Sequence, residues 1–154
     1  MAAKPIPDNY PRVTPYLAIS GAANAIEFYK GAFGATERMR MGGPEGKIGH
    51  AEIEIEGGLI MLADEYEPMS FRSPKTIGGS PVMIHLYVKD VDAFFARATA
   101  AGAEALRPPT DQFYGDRSCA LKDPFGHTWS VATHVEDVSR EELEKRAAKL
   151  AGEG

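Results

Sequence analysis

The chain has 154 residues, 44% of them hydrophobic and 25% charged, with a formal net charge of −5. That length and balance suit a folded domain with a real core, and the lack of a basic stripe argues against a nucleic-acid partner. No apolar run approaches the ~20 residues of a membrane helix, and the lone Cys119 excludes an internal disulfide and fits a reducing cytoplasm.

The N-terminal stretch MAAKPIPDNYPRV carries Pro5, Pro7 and Pro11 and no apolar signal core, so it reads as an extended arm rather than a secretory signal. Two later segments repeat one order of features: YLAISGAANAIEFYKGAFGATER (16–38) and HLYVKDVDAFFARATAAGAEALR (85–107), offset by 68–69 residues. Each opens on an alternating strand, with Leu17 and Ile19 in the first and Leu86 and Val88 in the second. Each continues into a helix. Ala22, Ala25, Ile26 and Tyr29 form one apolar stripe; Val91, Phe94, Phe95 and Ala98 form the other. Asp90 is a candidate N-cap, and Gly34 and Gly102 mark the helix ends. A repeat this long points to a duplicated module rather than a solenoid.

After the first helix come a short strand at 36–41, the turn GGPEG (42–46), the alternating strand IGHAEIEIEGG and, past a Gly57-Gly58 turn, LIMLADE. On the alternating strand Ala51, Ile53 and Ile55 face one way, and His50, Glu52, Glu54 and Glu56 form a polar face expected to be hydrated. Asp64 and Glu65 are expected to face solvent. Residues 65–80 form a linker rich in Pro, Gly and Ser. After the second helix, strands are expected at about 104–108, 116–122 and 128–134, the last two joined by the turn in KDPFGHTWSV. Trp129 should lie under the helix, His127 should be exposed, and His134 should close a local hydrogen bond. The tail opens on a capping box, Ser139 and Glu142, and reads as a helix over about 139–151.

The fold class is therefore α+β: two β-α-β-β-β modules, about 10–65 and 80–135, within one domain spanning 1–154. Each helix covers one sheet face, and the other faces are expected to curl around a cleft. Thr14, Tyr16, Met61, Met83, His85, Tyr87 and Ser130 are expected to line it. Tyr114 and Arg117, in the polar loop DQFYGDRS, could clamp an anionic or planar ligand, unless Arg117 simply pairs with Asp116.

This pattern resembles the vicinal oxygen chelate superfamily, which includes glyoxalase I, extradiol dioxygenases and bleomycin or fosfomycin resistance proteins. The resemblance rests on AIEFYKGAFGA and KDPFGHTWSV and covers about residues 10–135; the segment 111–139 is similar to a PhnB-like subgroup. Metal-using members hold a divalent ion with His, Gln or Glu on the first and last strand of each module. Carried over, those positions fall on Thr14, Met61, Met83 and Ser130, which are poor ligands for such an ion. The resemblance thus implies a small-molecule binder with no metal and no cofactor. An alternative is a divalent-metal lyase, isomerase or dioxygenase with displaced ligands His50, Glu52 and His85. A third reading gives His85 or Glu52 the role of general base without metal. The resemblance also implies a homodimer, with no membrane partner.

Overall fold

The structure is a computed structural model that describes residues 2–152. It divides into two compact units, Met1–Ser80 and Pro81–Gly154. Each holds one four-stranded mixed sheet, as the repeat implies.

In the first unit the elements are β1 (Tyr16–Ile19), α1 (Ala22–Phe33), β2 (Thr36–Gly42), β3 (Ile48–Ile55) and β4 (Gly58–Asp64), with sheet order β1-β4-β3-β2. β1 runs parallel to β4, and the other pairs are antiparallel. The α1 stripe falls as the spacing predicts: Ala22, Ala25, Ile26 and Tyr29 are buried, together with Ala32 and Phe33. They pack over a sheet face built from Leu17, Ile19, Ala51, Ile53 and Leu62, all buried. β1 starts at Tyr16 because Pro15 has no N–H for the ladder; its carbonyl accepts from Met61 N instead (3.0 Å). Thr14 therefore lies just before the strand.

Two expectations need correction in this unit. The hairpin turn between β3 and β4 centres on Glu56 and Gly57, at φ 50° and 80°, one residue earlier than the glycine pair suggests. Both central residues are left-handed, the geometry that matches strand twist in a two-residue hairpin. Asp64 is also only half-exposed, because its oxygens are tied to backbone donors. The residue before α1 is Gly21, which has no side chain to cap the helix. Asp64 Oδ1 takes the N–H groups of Gly21 and Ala22 (3.0 and 2.9 Å), and Oδ2 takes that of Ile48 (2.8 Å). One carboxylate thus ties the helix start to two strands. Glu65 likewise accepts from Ser73 N (2.7 Å) and from the Thr76 hydroxyl, which pins the linker. The linker contains a 3₁₀ turn (Glu67–Met69) and a short helix, α2 (Pro74–Ile77).

The second unit repeats the scheme with β5 (Met83–Tyr87), α3 (Val91–Ala100), β6 (Glu104–Asp111), β7 (Asp116–Lys122) and β8 (Thr128–His134), in the order β5-β8-β7-β6. Asp90 caps α3 as expected, accepting from Ala93 N at 3.0 Å. β6 runs three residues past the predicted end. It is an edge strand with two register shifts, and such strands tolerate residues like Pro108 and Pro109 that cannot donate.

The turn between β7 and β8 is organised by Asp123, which is 3% exposed. Its Oδ1 accepts from Phe125 N and His127 N (2.9 and 3.0 Å), and Oδ2 accepts from Trp129 Nε1 (2.9 Å). Trp129 is buried under the helix as alternation predicts. His127, expected at the surface, is buried, because the Asp123 turn folds its backbone inward. The chain ends in α4 (Arg140–Gly152), capped by Ser139 Oγ accepting from Glu142 N (3.1 Å). Arg146 fastens this helix to Glu136 (2.8 Å) and to the Phe113 carbonyl (3.0 Å). Among the described residues no helix is long and apolar enough to cross a membrane.

Candidate ligand pocket

The face of each sheet away from its helix carries most of the candidate residues; Arg117, Tyr114 and Thr14 lie elsewhere. In the first unit the strand register sets Tyr16, Met61, Glu52 and Met39 side by side across the sheet. Alternation places His50 two residues from Glu52 on the same face. Glu52, expected on a hydrated face, is only 2% exposed. Tyr10 from the N-terminal arm closes over it and donates to both carboxylate oxygens (3.0 Å each). Arg38 stacks on the Tyr10 ring at 4.6 Å, takes the Asn9 carbonyl at 3.0 Å and stands 3.7 Å from Glu52. The arm is thus held by contacts that proline content alone does not reveal.

His50 bridges Glu52 to Tyr16. Its Nε2 lies 2.8 Å from Glu52 Oε2 and its Nδ1 lies 2.7 Å from the Tyr16 hydroxyl. Burial, the largest single influence, pushes the Glu52 carboxyl up, but hydrogen bonds from His50 and Tyr10, with the charge of Arg38, outweigh it and hold the group below its usual value. An ionised carboxylate only accepts, so His50 donates from Nε2. With a neutral ring, Nδ1 then accepts the Tyr16 proton. Burial, then the Glu52 charge, raises the Tyr16 hydroxyl above its ordinary value, so it stays a phenol at neutral pH. The result is a chain Tyr16–His50–Glu52–Tyr10 with a defined direction.

Tyr16 also forms one wall of a pocket of about 870 Å³ that lies wholly within this unit. The pocket is bounded by the β2–β3 turn, the end of β4 and the linker. Ile48, Ala63, Tyr66, Met69 and Phe71 supply its apolar surface. The Tyr16 ring meets Phe71 edge-on at 5.5 Å and His50 at 5.4 Å. Tyr66 and Phe71 pair through a β-bridge, which holds both rings on one small loop. Of the nine residues expected in one cleft, Tyr16 is the one that lines this pocket. Sequence reasoning passed over Tyr66, Met69 and Phe71. The available signal was two aromatic residues and a methionine inside a linker otherwise read as Pro, Gly and Ser.

The second unit places the other candidates. The register sets His85, Ser130, Ala120 and Arg107 side by side. His85 Nδ1 is 3.0 Å from Ser130 Oγ, and its ring meets Tyr87 at 4.8 Å. Tyr87 donates to Asp116 Oδ2 (2.6 Å), and His134 Nδ1 bonds Asp116 Oδ1 (2.8 Å) while its Nε2 bonds Asp137 (2.7 Å). Met83 is exposed on the same strand. Arg117 belongs to the helix side of β7. It pairs with Asp92 (2.8 Å) and Asp111 (3.2 Å), not with Asp116, whose oxygens are taken by Tyr87 and His134. Tyr114 is exposed in the β6–β7 turn, edge-on to Phe113 at 5.3 Å. Cys119 is fully buried, and burial raises its thiol, which leaves it unreactive.

A divalent ion needs three or four imidazole or carboxylate groups converging on one point. Thr14, Tyr16, Met61, Met83 and Ser130 supply neither group. His50 and Glu52 bond each other and belong to the first unit, and His85, bonded to Ser130, to the second. Within neither unit, among the described residues, do three His, Cys, Asp or Glu side chains form a metal-holding group. Neither unit taken by itself offers such a donor set among its described residues.

The profile of the Glyoxalase/Bleomycin resistance protein/Dioxygenase superfamily matches residues 12–131. The chain belongs to this superfamily. The uncharacterized protein Rv0887c of Mycobacterium tuberculosis is 43% identical over 147 residues, covering 94% of this chain and 86% of that one. Among solved structures, TioX from Micromonospora sp. ML1 is 28% identical with a TM-score of 0.65, over 82% of this chain and all of TioX. The PhnB protein from Bacillus cereus shares 19% identity with a TM-score of 0.61, over 80% of this chain and 99% of that one, a likeness of fold alone.

Proposed function

We propose that this superfamily member binds a small planar organic molecule in the pocket of the first unit, without a metal ion. The observation that carries the reading is the pocket itself. Its volume of about 870 Å³ falls within the range of roughly 300–1,000 Å³ that such sites occupy. Its walls include Tyr16, Tyr66, Phe71 and Met69, with charged residues such as Lys47 and Glu45 at the turn, and aromatic faces favour a flat partner through offset or edge contacts. Tyr16 supplies a polar handle at the sheet end of the pocket. The superfamily resemblance further points to a homodimer as the assembled form, and the single cysteine fits the cytoplasm as its setting.

A neutral fluorescent probe tests the reading. Nile red should bind with one site per chain. Phe71→Ala should weaken it about tenfold, the scale of one large aromatic contact. Tyr87→Ala, in the second unit, should leave it unchanged. Equal affinity in the unmodified protein and Phe71→Ala would place the ligand elsewhere. Elemental analysis finding one divalent metal per chain, lost in His85→Ala, would replace this reading with the displaced-ligand metalloenzyme.

A further inference from the structure

We propose that Tyr16, His50 and Glu52 form a proton-accepting relay, and that the pocket ligand carries a weakly acidic hydroxyl, a phenol or an enol, which binds as its anion. The inference rests on the pocket reading above and extends it to the chemistry of the ligand.

The geometry defines the path. Glu52 is 2% exposed and ionised, and its oxygens are taken by Tyr10 and by His50 Nε2. In the tautomer that donates from Nε2, His50 turns Nδ1 to the Tyr16 hydroxyl, 2.7 Å away. When the ligand O–H bond breaks, its proton passes to the Tyr16 oxygen. The Tyr16 proton passes to His50 Nδ1, and the ring becomes an imidazolium against Glu52. No proton leaves the complex, and no other reactant is needed. Tyr16 ends as a phenol that donates to the ligand oxyanion, in keeping with its raised value.

The charges balance as well. The groups facing His50 are Glu52 on its own strand, Tyr16 on β1, and Tyr10 and Arg38 behind the carboxylate, while Met41 opposite it on β2 carries no charge. Arg38, 3.7 Å from Glu52, already offsets the carboxylate. A proton on His50 therefore leaves one net positive charge behind Tyr16. The pocket lining also carries Lys47 and four carboxylates: Glu45, Asp64 and Glu65, of which the last two accept from backbone N–H groups and Thr76, and Glu67, which is paired with Arg72. A site whose only task was packing would not need a buried carboxylate aimed through a histidine at the pocket wall.

Two probes separate this proposal from the pocket reading: 4-nitrophenol, whose anion has its own visible absorption band, and 4-nitroanisole, which has no proton to give. Below the pKa of free 4-nitrophenol, the bound compound should show the anion band. Calorimetry in two buffers of different ionisation heat should show no net proton release. His50→Gln should bind 4-nitroanisole like the unmodified protein, lose the anion band and hold 4-nitrophenol about tenfold more weakly, the equivalent of one pKa unit. Tyr16→Phe, which leaves the buried carboxylate in place, should also lose the band. If both compounds bind and 4-nitrophenol stays neutral, the relay is overturned and the pocket reading stands. An anion band with one proton released to buffer also overturns it, because the proton then bypasses His50. If neither compound binds, both readings fall.

Discussion

The two units share a backbone scheme and differ in what they place on it. In both, the first strand pairs in parallel with the last, Tyr16 with Met61 and His85 with Ser130, 69 residues apart at each partner. The row across the first sheet reads Tyr16, Met61, Glu52, Met39; across the second it reads His85, Ser130, Ala120, Arg107. The centre of the first row is a buried anion. The second row has alanine there and a cation at the edge, which reaches back to Ser118 (2.8 and 3.0 Å). A buried carboxylate on the same face of the second sheet, Asp116, sits toward the end of the sheet and bonds His134 and Tyr87. Identical strand pairing thus fixes where side chains project and leaves their chemistry free to diverge.

The cores differ too. α1 buries six residues over its sheet, in which Leu17, Ala18 and Ile19 of β1 are all buried. α3 buries only Val91 and Ala98, and Phe94 and Phe95 are half-covered. The second unit depends more heavily on Trp129, its largest fully buried side chain, whose indole also holds Asp123. Trp129→Ala should therefore have the largest effect of any single change, a loss of about 3–5 kcal/mol. Ile26→Ala in α1 should cost about 2–4 kcal/mol. Denaturant unfolding followed by circular dichroism checks both. A smaller loss at Trp129 than at Ile26 would reverse the proposed division between one anchor and a distributed core.

The two helix starts offer a second contrast. Asp90 caps α3 from the adjacent position with one bond, whereas Asp64 caps α1 from the far end of β4 with three, one of them to β3. Asp90→Ala should cost about 1 kcal/mol, the usual value of an N-cap. Asp64→Ala should cost about 2–3 kcal/mol, because it leaves donors unpaired on two elements. Hydrogen exchange should show the difference in extent. Asp90→Ala should loosen the first turn of α3 alone, whereas Asp64→Ala should loosen the start of both α1 and β3. Loosening confined to α1 would mean that the Ile48 bond contributes little.

These contrasts explain what the sequence discloses and what it hides. Periodicity is a local signal, so the strands, both helix stripes, the Trp129 orientation and the Ser139 cap can all be read directly. Asp64 and Glu52 cannot be read correctly this way, because their partners lie 42 or more residues away at Ala22 and Tyr10. An acidic side chain on an alternating strand looks solvated until an arm is known to close over it. His127 misleads for a related reason: polarity suggests exposure, while the Asp123 turn draws the residue inward. The pocket is hidden because its walls come from a linker, where neither strand nor helix period applies. The candidate site was therefore legible only at Tyr16, His50 and Glu52, and not in the way they connect.

The smallest expected effect is the pH dependence, in which the units share one sign and the second unit adds a group of the opposite sign. Burial, the leading influence, pushes the Asp116 carboxyl up, but hydrogen bonds from Tyr87 and His134 hold it below its ordinary value, as with Glu52. Both carboxylates contribute stability above their unfolded values, roughly pH 4, and lose it as pH falls through the folded values. His134 works in the opposite direction. Its hydrogen bonds to Asp116 and then Asp137 raise it above its ordinary value. Its contribution is complete below about pH 6.5, the unfolded value, and disappears as pH rises through the folded one. The side chain is half-exposed, so solvent screens the pair and the loss is modest. Trp129 is the only tryptophan and lies in the second unit, so its fluorescence reports that unit alone. Stability followed by Trp129 should weaken gently as pH rises above about 6.5. His134→Gln, which keeps a hydrogen-bonding group without the charge, should flatten that slope. A flat profile in the unmodified protein would mean that the His134–Asp116 pair is fully screened, and an unchanged slope in His134→Gln would move the titrating group elsewhere in the unit.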